Sequence, residues 1–238
     1  MIRFYAPDIE RNPVLPPDES AHVVRVLRRR EGDDVDVVDG HGHLYHCRLA
    51  VADPRGAMLE VLDKEVVLNT WTPRLTIAVA PTKNADRMEW LVEKLVELGV
   101  DAIVPLRCDR SERKDIKAER LERIAVSAMK QSLKATLPII YPTTPLMSYV
   151  RAVAPDTQKL VGYCDADTER RLMATEYRAG NNLSVLIGPE GDFSPEEIVA
   201  CRAEGYVPVT MGDNRLRTET AALDACCTFH VINQLNSI

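Results

Sequence analysis

No stretch of this 238-residue chain approaches the ~20 consecutive apolar residues that a membrane-spanning helix needs. The first ten residues, MIRFYAPDIE, hold no apolar core and do not read as a secretory signal. Six cysteines are present (Cys47, Cys108, Cys164, Cys201, Cys226 and Cys227), but no two form a C-x-x-C pair. A zinc ribbon or redox dithiol is therefore not indicated, and reduced, mostly buried thiols are expected. Phosphate-binding signatures are missing too: there is no G-x-G-x-x-G and no G-K-[ST]. Internal repeats and low-complexity tracts are absent. With 45% hydrophobic and 28% charged residues, a cytoplasmic globular protein without membrane contact is the expectation.

A net charge of −6 argues against a nucleic-acid partner, but the distribution of charge argues otherwise. Between Arg107 and Lys134 lie nine basic residues, including Lys114 and Lys117, against five acids. The segment HVVRVLRRR (22–30) carries Arg25, Arg28, Arg29 and Arg30 and no acid. Each island is either a solvated helix face or a local site for a polyanion.

Residues 1–70 read as β-rich. DDVDVVDGHGHLYHCRLAVA alternates polar and apolar residues about Asp39-Gly40, a strong hairpin signal. AMLEVLD (57–63) is a further strand, and one short helix is expected around residues 18–29. Close strands with little helix point to a small barrel. His41, His43 and His46 flank the hairpin turn, but alternate residues face opposite sides of a strand and no acid or cysteine clearly completes a metal site.

Composition changes near Trp71-Thr72-Pro73, and strands then alternate with helices. LTIAVA (75–80), AIVPL (102–106), LVGYC (160–164), SVLI (184–187) and VPVTM (207–211) are strands. ADRMEWLVEKLVELGV places Met88, Leu91, Val92, Leu95 and Val96 at helical spacing, with Asp86 and Glu89 at its start and Gly99 at its end. AERLERIAVSAMKQSL is a second amphipathic helix, and a last one runs from Thr218 towards Gln234. This alternation implies an α/β domain with a mostly parallel sheet covered by helices.

Ligands of such sheets sit outside the carboxyl ends of the strands. Two strand ends are rich in loop chemistry. LIGPEGDFSPEEI (186–198) combines Gly188 and Gly191, which allow positive φ and close backbone approach, with a full helix start at Ser194-Pro195-Glu196-Glu197. Glu190 and Asp192 count against a phosphate there and favour a neutral or cationic ligand. A well-made turn without a ligand is the alternative. TMGDNRLRTETAALDA (210–225) closes a strand at Met211-Gly212 and opens an apolar helix at Arg217-Thr218-Glu219-Thr220, with Thr218 as a possible cap.

Together, LIGPEGDFSPEEI and MGDNRLRTETAA resemble the RsmE family, bacterial SPOUT-class enzymes that methylate a uridine at N3 in small-subunit (16S) ribosomal RNA. DRMEWLVEKLVELGV with IVPLRCDRSERK, and HVVRVLRRREGDDVDVVDG, extend the resemblance over nearly the whole chain. It implies a PUA-like β-barrel RNA-binding domain (1–70) and a SPOUT α/β domain with a deep trefoil knot (71–238), in a homodimer. It implies S-adenosylmethionine as cofactor, held by Leu186, Gly188, Glu190, Gly191, Met211, Gly212, Leu216, Arg217 and Thr220. Arg25, Arg28, Arg29, Lys114 and Lys117 become expected phosphate contacts to the RNA. Arg217 is the expected stabiliser of the uridine anion, and Glu190 and Glu219 are the expected bases. Departures from the family's pattern are Asp192, where glycine is usual, and Lys130 and Lys134, where a glutamate and an arginine are expected.

Overall fold

The computed structural model describes residues 2–67, 73–164 and 171–236. The change of composition expected at residues 71–73, and the domain boundary at 70–71, fall largely outside them. The chain separates into two compact units, Met1–Asn69 with Val126–Leu137, and Thr70–Ala125 with Pro138–Ile238. The first unit is thus discontinuous in sequence.

Its sheet has the order β1 (Arg3–Tyr5), β2 (Asp34–Val38), β3 (His43–Val51), β4 (Met58–Val66). β1 runs parallel to β2, and the remaining pairs are antiparallel. The Asp39-Gly40 turn forms as the sequence dictates. The Asp39 carboxylate accepts from the backbone N–H of His41 at 2.7 Å and of His43 at 3.1 Å, and Gly40 takes φ +80°. Alternation along the strands sends Val35, Val37, Tyr45, Cys47 and Leu49 into a core shared with Phe4, Ile9, Leu15 and Val23.

The short helix is α1 (Pro17–Ala21), continued by a π-helical turn, His22–Val26. It stops short of residue 29 because Arg28 turns left-handed at φ +54°, which no right-handed helix accommodates. Residues 126–137 complete this unit. Lys130, one of the departures noted above, pairs with the mostly buried carboxylate of Glu19. Ala135 accepts from Gly42 N–H and Gly40 accepts from Leu137 N–H, both at 2.9 Å.

The second unit is built on a sheet of parallel strands: β5 (Leu75–Val79), β6 (Ala102–Arg107), β7 (Ile139–Ile140), β8 (Thr144–Pro145), β9 (Gln158–Gly162), β10 (Arg171–Leu172), β11 (Leu183–Ile187) and β12 (Val207–Thr210). Their order is β10-β12-β9-β11-β5-β6-β7, with β8 also paired to β6. The helices of this unit are α2 (Ala85–Leu98), the first part of α3 (Ala118–Gln131), whose residues from Val126 belong to the first unit, α4 (Leu146–Ala152), α5 (Met173–Glu176), α6 (Pro195–Ala203) and α7 (Thr218–Asn236).

The apolar stripe Met88, Leu91, Val92, Leu95 and Val96 of α2 is buried, and Gly99 closes the helix at φ +105°. Its cap is Asn84, whose side chain accepts from Asp86 N–H at 2.9 Å, so the cap lies two residues earlier than expected. β11 is buried along its whole length, as a central strand covered on both faces must be. From β5 the chain builds outward through β6 and β7. It then returns to place β9 on the other side, leaving a slot that β11 fills. Such reversals of strand order open a crevice at the carboxyl ends of the strands.

Candidate functional site

A cavity of about 360 Å³ lies at the carboxyl ends of β9, β11 and β12. Gly162, Tyr163 and Cys164 line it from β9, and Ile187, Gly188, Pro189, Glu190 and Asp192 from the β11 loop. Val209, Thr210 and Met211 line it from β12, Asn214 to Thr218 and Ala221 from the entry into α7, and Arg87 from α2. Both sequence motifs therefore meet here. The Thr218 hydroxyl, buried, donates to the Gly188 carbonyl at 3.1 Å and ties the two loops together. Thr218 is the first residue of α7, so the cap position falls on Arg217 and not on Thr218 as expected.

The glycines do not act alike. Gly188 has no positive φ; a Cβ there would meet the Phe193 ring at 3.1 Å, so its value is the close approach of that ring. Gly191 has no positive φ either. The left-handed positions are Gly212 at φ +121° and Asp192 at φ +61°. Aspartate is among the few side chains that tolerate this region, so Asp192 can take a turn for which the resemblance leads one to expect glycine.

Carboxylates fasten the β11 loop to its neighbours. Glu190 Oε1 accepts from the Lys83 backbone N–H at 2.9 Å. Asp192 Oδ2 accepts from Cys164 N–H at 3.0 Å. Arg110 donates to the carbonyls of Gly191 (3.1 Å) and Phe193 (3.3 Å), and Arg113 donates to those of Thr82 and Lys83. Ser194 and Glu197 form the anticipated capping box, and Glu197 Oε1 also accepts from Asp109 N–H at 2.9 Å. Burial, with a smaller push from Glu197, raises the Cys108 thiol far above its ordinary range and keeps it a neutral packing group.

Of the residues expected to hold a cofactor, Gly188, Glu190, Met211, Leu216 and Arg217 line the cavity. Leu186 is wholly buried in the core beside it. Gly191 packs against Arg110, and Gly212 lines a neighbouring cavity of about 670 Å³. Thr220 is exposed on α7, where Thr218 and Ala221 face the cavity instead. Glu219 is buried at 7% exposure and faces the Arg87 guanidinium at 3.5 Å. Tyr163, Cys164, Asn214, Arg215 and Arg87 are lining residues that sequence reasoning passed over. The ending of LVGYC at a strand's carboxyl edge was the available signal for the first two.

Arg25, Arg28 and Arg29 are exposed in the first unit, and Lys114 and Lys117 in the second. His43 Nδ1 lies 2.6 Å from Asp39, and His46 sits between Asp36 (2.8 Å) and Glu65 (3.1 Å). Among the described residues no group of three or more His, Cys, Asp and Glu side chains could hold a metal ion, and no helix is long and apolar enough to cross a membrane.

The model of an RNA methyltransferase domain matches residues 70–230, and that of an RNA methyltransferase PUA domain matches residues 15–62. Ribosomal RNA small subunit methyltransferase E of Mycobacterium bovis is 31% identical over 91% of this chain and 85% of its own. The chain belongs to the RsmE family. A crystal structure of a probable rRNA-methyltransferase from Porphyromonas gingivalis superposes with a TM-score of 0.94 at 44% identity, covering 99% of this chain and all of that one. Ribosomal RNA small subunit methyltransferase E from Neisseria gonorrhoeae, a structure bound to S-adenosyl methionine, gives 0.85 at 28% identity and 98% coverage of both chains. The two motifs that carry the resemblance lie in the two loops joined by the Thr218–Gly188 hydrogen bond.

Proposed function

We propose that this protein transfers the methyl group of S-adenosylmethionine to N3 of a uridine in small-subunit ribosomal RNA. One observation carries the reading: two motif loops some twenty residues apart line a single cavity at the strand ends. The cavity suits the cofactor. Its volume lies in the range of small-molecule sites, about 300–1,000 Å³. Ile187, Val209, Met211 and Leu216 offer an apolar floor, while Glu190 and Asp192 are carboxylates compatible with a cationic ligand and unfavourable to a phosphate. Gly162 lets Ile187 and Met211 pack close to the β9 backbone, since a Cβ there would meet them at 3.1 Å and 3.3 Å.

S-adenosylmethionine supplies a methyl group already activated on a sulfonium, so no metal is needed. The chain's own residues must take up the N3 proton and stabilise the anion spread over O2, N3 and O4. Arg217, lining the cavity, is the stabiliser. Glu190 and Glu219 are the two bases to test. Glu190 lines the cavity but has one oxygen engaged by Lys83 N–H, and Glu219 faces Arg87. Arg25, Arg28, Arg29, Lys114 and Lys117 contact RNA phosphates.

The same reading carries the finer features implied by the family: a trefoil knot in the SPOUT domain, residues 71–238, and a closed PUA-like barrel in residues 1–70. It also carries a homodimer and a cytoplasmic location. The substrate is small-subunit RNA, free or assembled. Mass mapping of ribosomal RNA after incubation with enzyme and labelled S-adenosylmethionine tests the reading, with one methylated uridine, modified at N3, as the expected product. RNA binding without binding of S-adenosylmethionine would favour a non-catalytic RNA-binding protein, and modification elsewhere would favour another target position.

A further inference from the structure

We infer that Asp192 is a positioning residue of the cofactor cleft: by fastening the β11 loop to the end of β9, it sets the affinity for S-adenosylmethionine. The inference rests on the cofactor reading above.

The β9–β11 ladder runs as far as the Gly162–Ile187 pair, and Tyr163 N–H still reaches the Val209 carbonyl of β12 at 3.3 Å. One residue further, Cys164 N–H turns to a side chain, the Asp192 carboxylate, at 3.0 Å. Asp192 thus takes over where sheet pairing stops. Its other oxygen accepts from the N–H of the next residue, Phe193, at 2.8 Å, which holds the carboxylate in place. Phe193 is itself fully buried, packed beneath Gly188. The two partners Cys164 and Asp192 both line the 360 Å³ cavity and its 670 Å³ neighbour, so their hydrogen bond lies in the wall the two share. The same loop is held on its other flank by the Glu190 bond to Lys83 and by Arg110. Asp192 is the corresponding tie towards β9.

Backbone conformation alone does not require a carboxylate here. At φ +61°, glycine would make the turn without strain. What aspartate adds is the cross-loop bond. Glycine therefore removes the tie while preserving the turn, which makes Asp192→Gly the clean perturbation. Asparagine also tolerates the left-handed region and keeps one acceptor oxygen.

In the full-length protein, Asp192→Gly is expected to raise the KM and Kd for S-adenosylmethionine about tenfold, the effect of losing one hydrogen bond to a charged group. The kcat at saturating cofactor is expected to stay within about twofold, because the tie acts on cofactor placement and not on the reacting atoms. Asp192→Asn is expected to bring the Kd back to within about threefold of wild type. A merely structural role would lower thermal stability and kcat together and leave KM unchanged. That result, or an unchanged Kd in Asp192→Gly by calorimetry, overturns the inference alone. Failure of the wild-type protein to bind S-adenosylmethionine overturns the cofactor reading, and this inference with it.

Discussion

Glu197→Ala removes the group that staples the start of α6 to the loop after β6. The carboxylate is 8% exposed and accepts two backbone N–H donors, Ser194 and Asp109, each at 2.9 Å. Ser194 Oγ in turn accepts from Glu197 N–H at 3.2 Å and donates to the Asp109 carboxylate at 3.0 Å. Hydrogen bonds to a charged group contribute about 1.5–3 kcal/mol each, so two give at least about 3 kcal/mol. Removing a mostly buried charge returns part of this, leaving a net loss of about 2–3 kcal/mol. A glutamine side chain would keep one acceptor oxygen, so Glu197→Gln is expected to lose about half as much. Urea unfolding followed by circular dichroism measures the stability change. Hydrogen exchange at the Asp109 and Ser194 amides should accelerate selectively in the alanine variant. A loss below about 0.5 kcal/mol, the range of ordinary surface changes, would refute the staple.

Arg217→Ala is expected to lower kcat for methyl transfer about 100-fold, as loss of an oxyanion donor does elsewhere, and transfer at the wild-type rate would remove Arg217 from the mechanism. The double variant Arg25→Ala, Arg28→Ala is expected to weaken RNA binding and to reduce the slope of log K against log salt by about 1.4, while sparing S-adenosylmethionine binding measured by calorimetry. Hydrogen bonds to Asp36, then to Glu65, hold the His46 pKa above its ordinary value. The stabilisation from this histidine is therefore fully present below about pH 6.5 and lost as pH rises through the raised midpoint. NMR titration of the imidazole should show that raised midpoint, and His46→Gln should remove this part of the pH dependence of stability.

Legibility in the sequence followed the range of the interaction. The Asp39-Gly40 hairpin, the stripe of α2 and the capping box at Ser194 are local, and each forms where residue type and spacing place it. β1, β7, β8 and β10 span two or three residues, too few for a period to show. Leu186 and Gly188 are two residues apart, yet one is core and the other faces the cavity. Strand alternation puts residues two apart on the same face and cannot separate them; they differ because β11 ends at Ile187 and Gly188 begins the loop. Thr218 and Ala221 line the cavity while Thr220 is exposed, a phase of the first turn of α7 that the motif's residue types alone do not give. Arg87 and Cys164 reach the site only through the folding of distant segments. The loop's need for a left-handed residue is legible and points by residue type to Gly188 and Gly191, whereas the structure puts it on Asp192.

The discontinuous first unit has a consequence for how the chain can be divided. The chain passes between the units three times, after Asn69, Ala125 and Leu137, and α3 runs through the second of these points. A cut after residue 69 would strip residues 126–137 of the partners of Lys130, Ala135 and Leu137, leaving unpaired backbone and a stranded ammonium. Neither unit is a cassette that one recombination point can transplant. An exchange between relatives must carry Val126–Leu137 along with the N-terminal segment, and with it the Glu19–Lys130 pair as one inherited block.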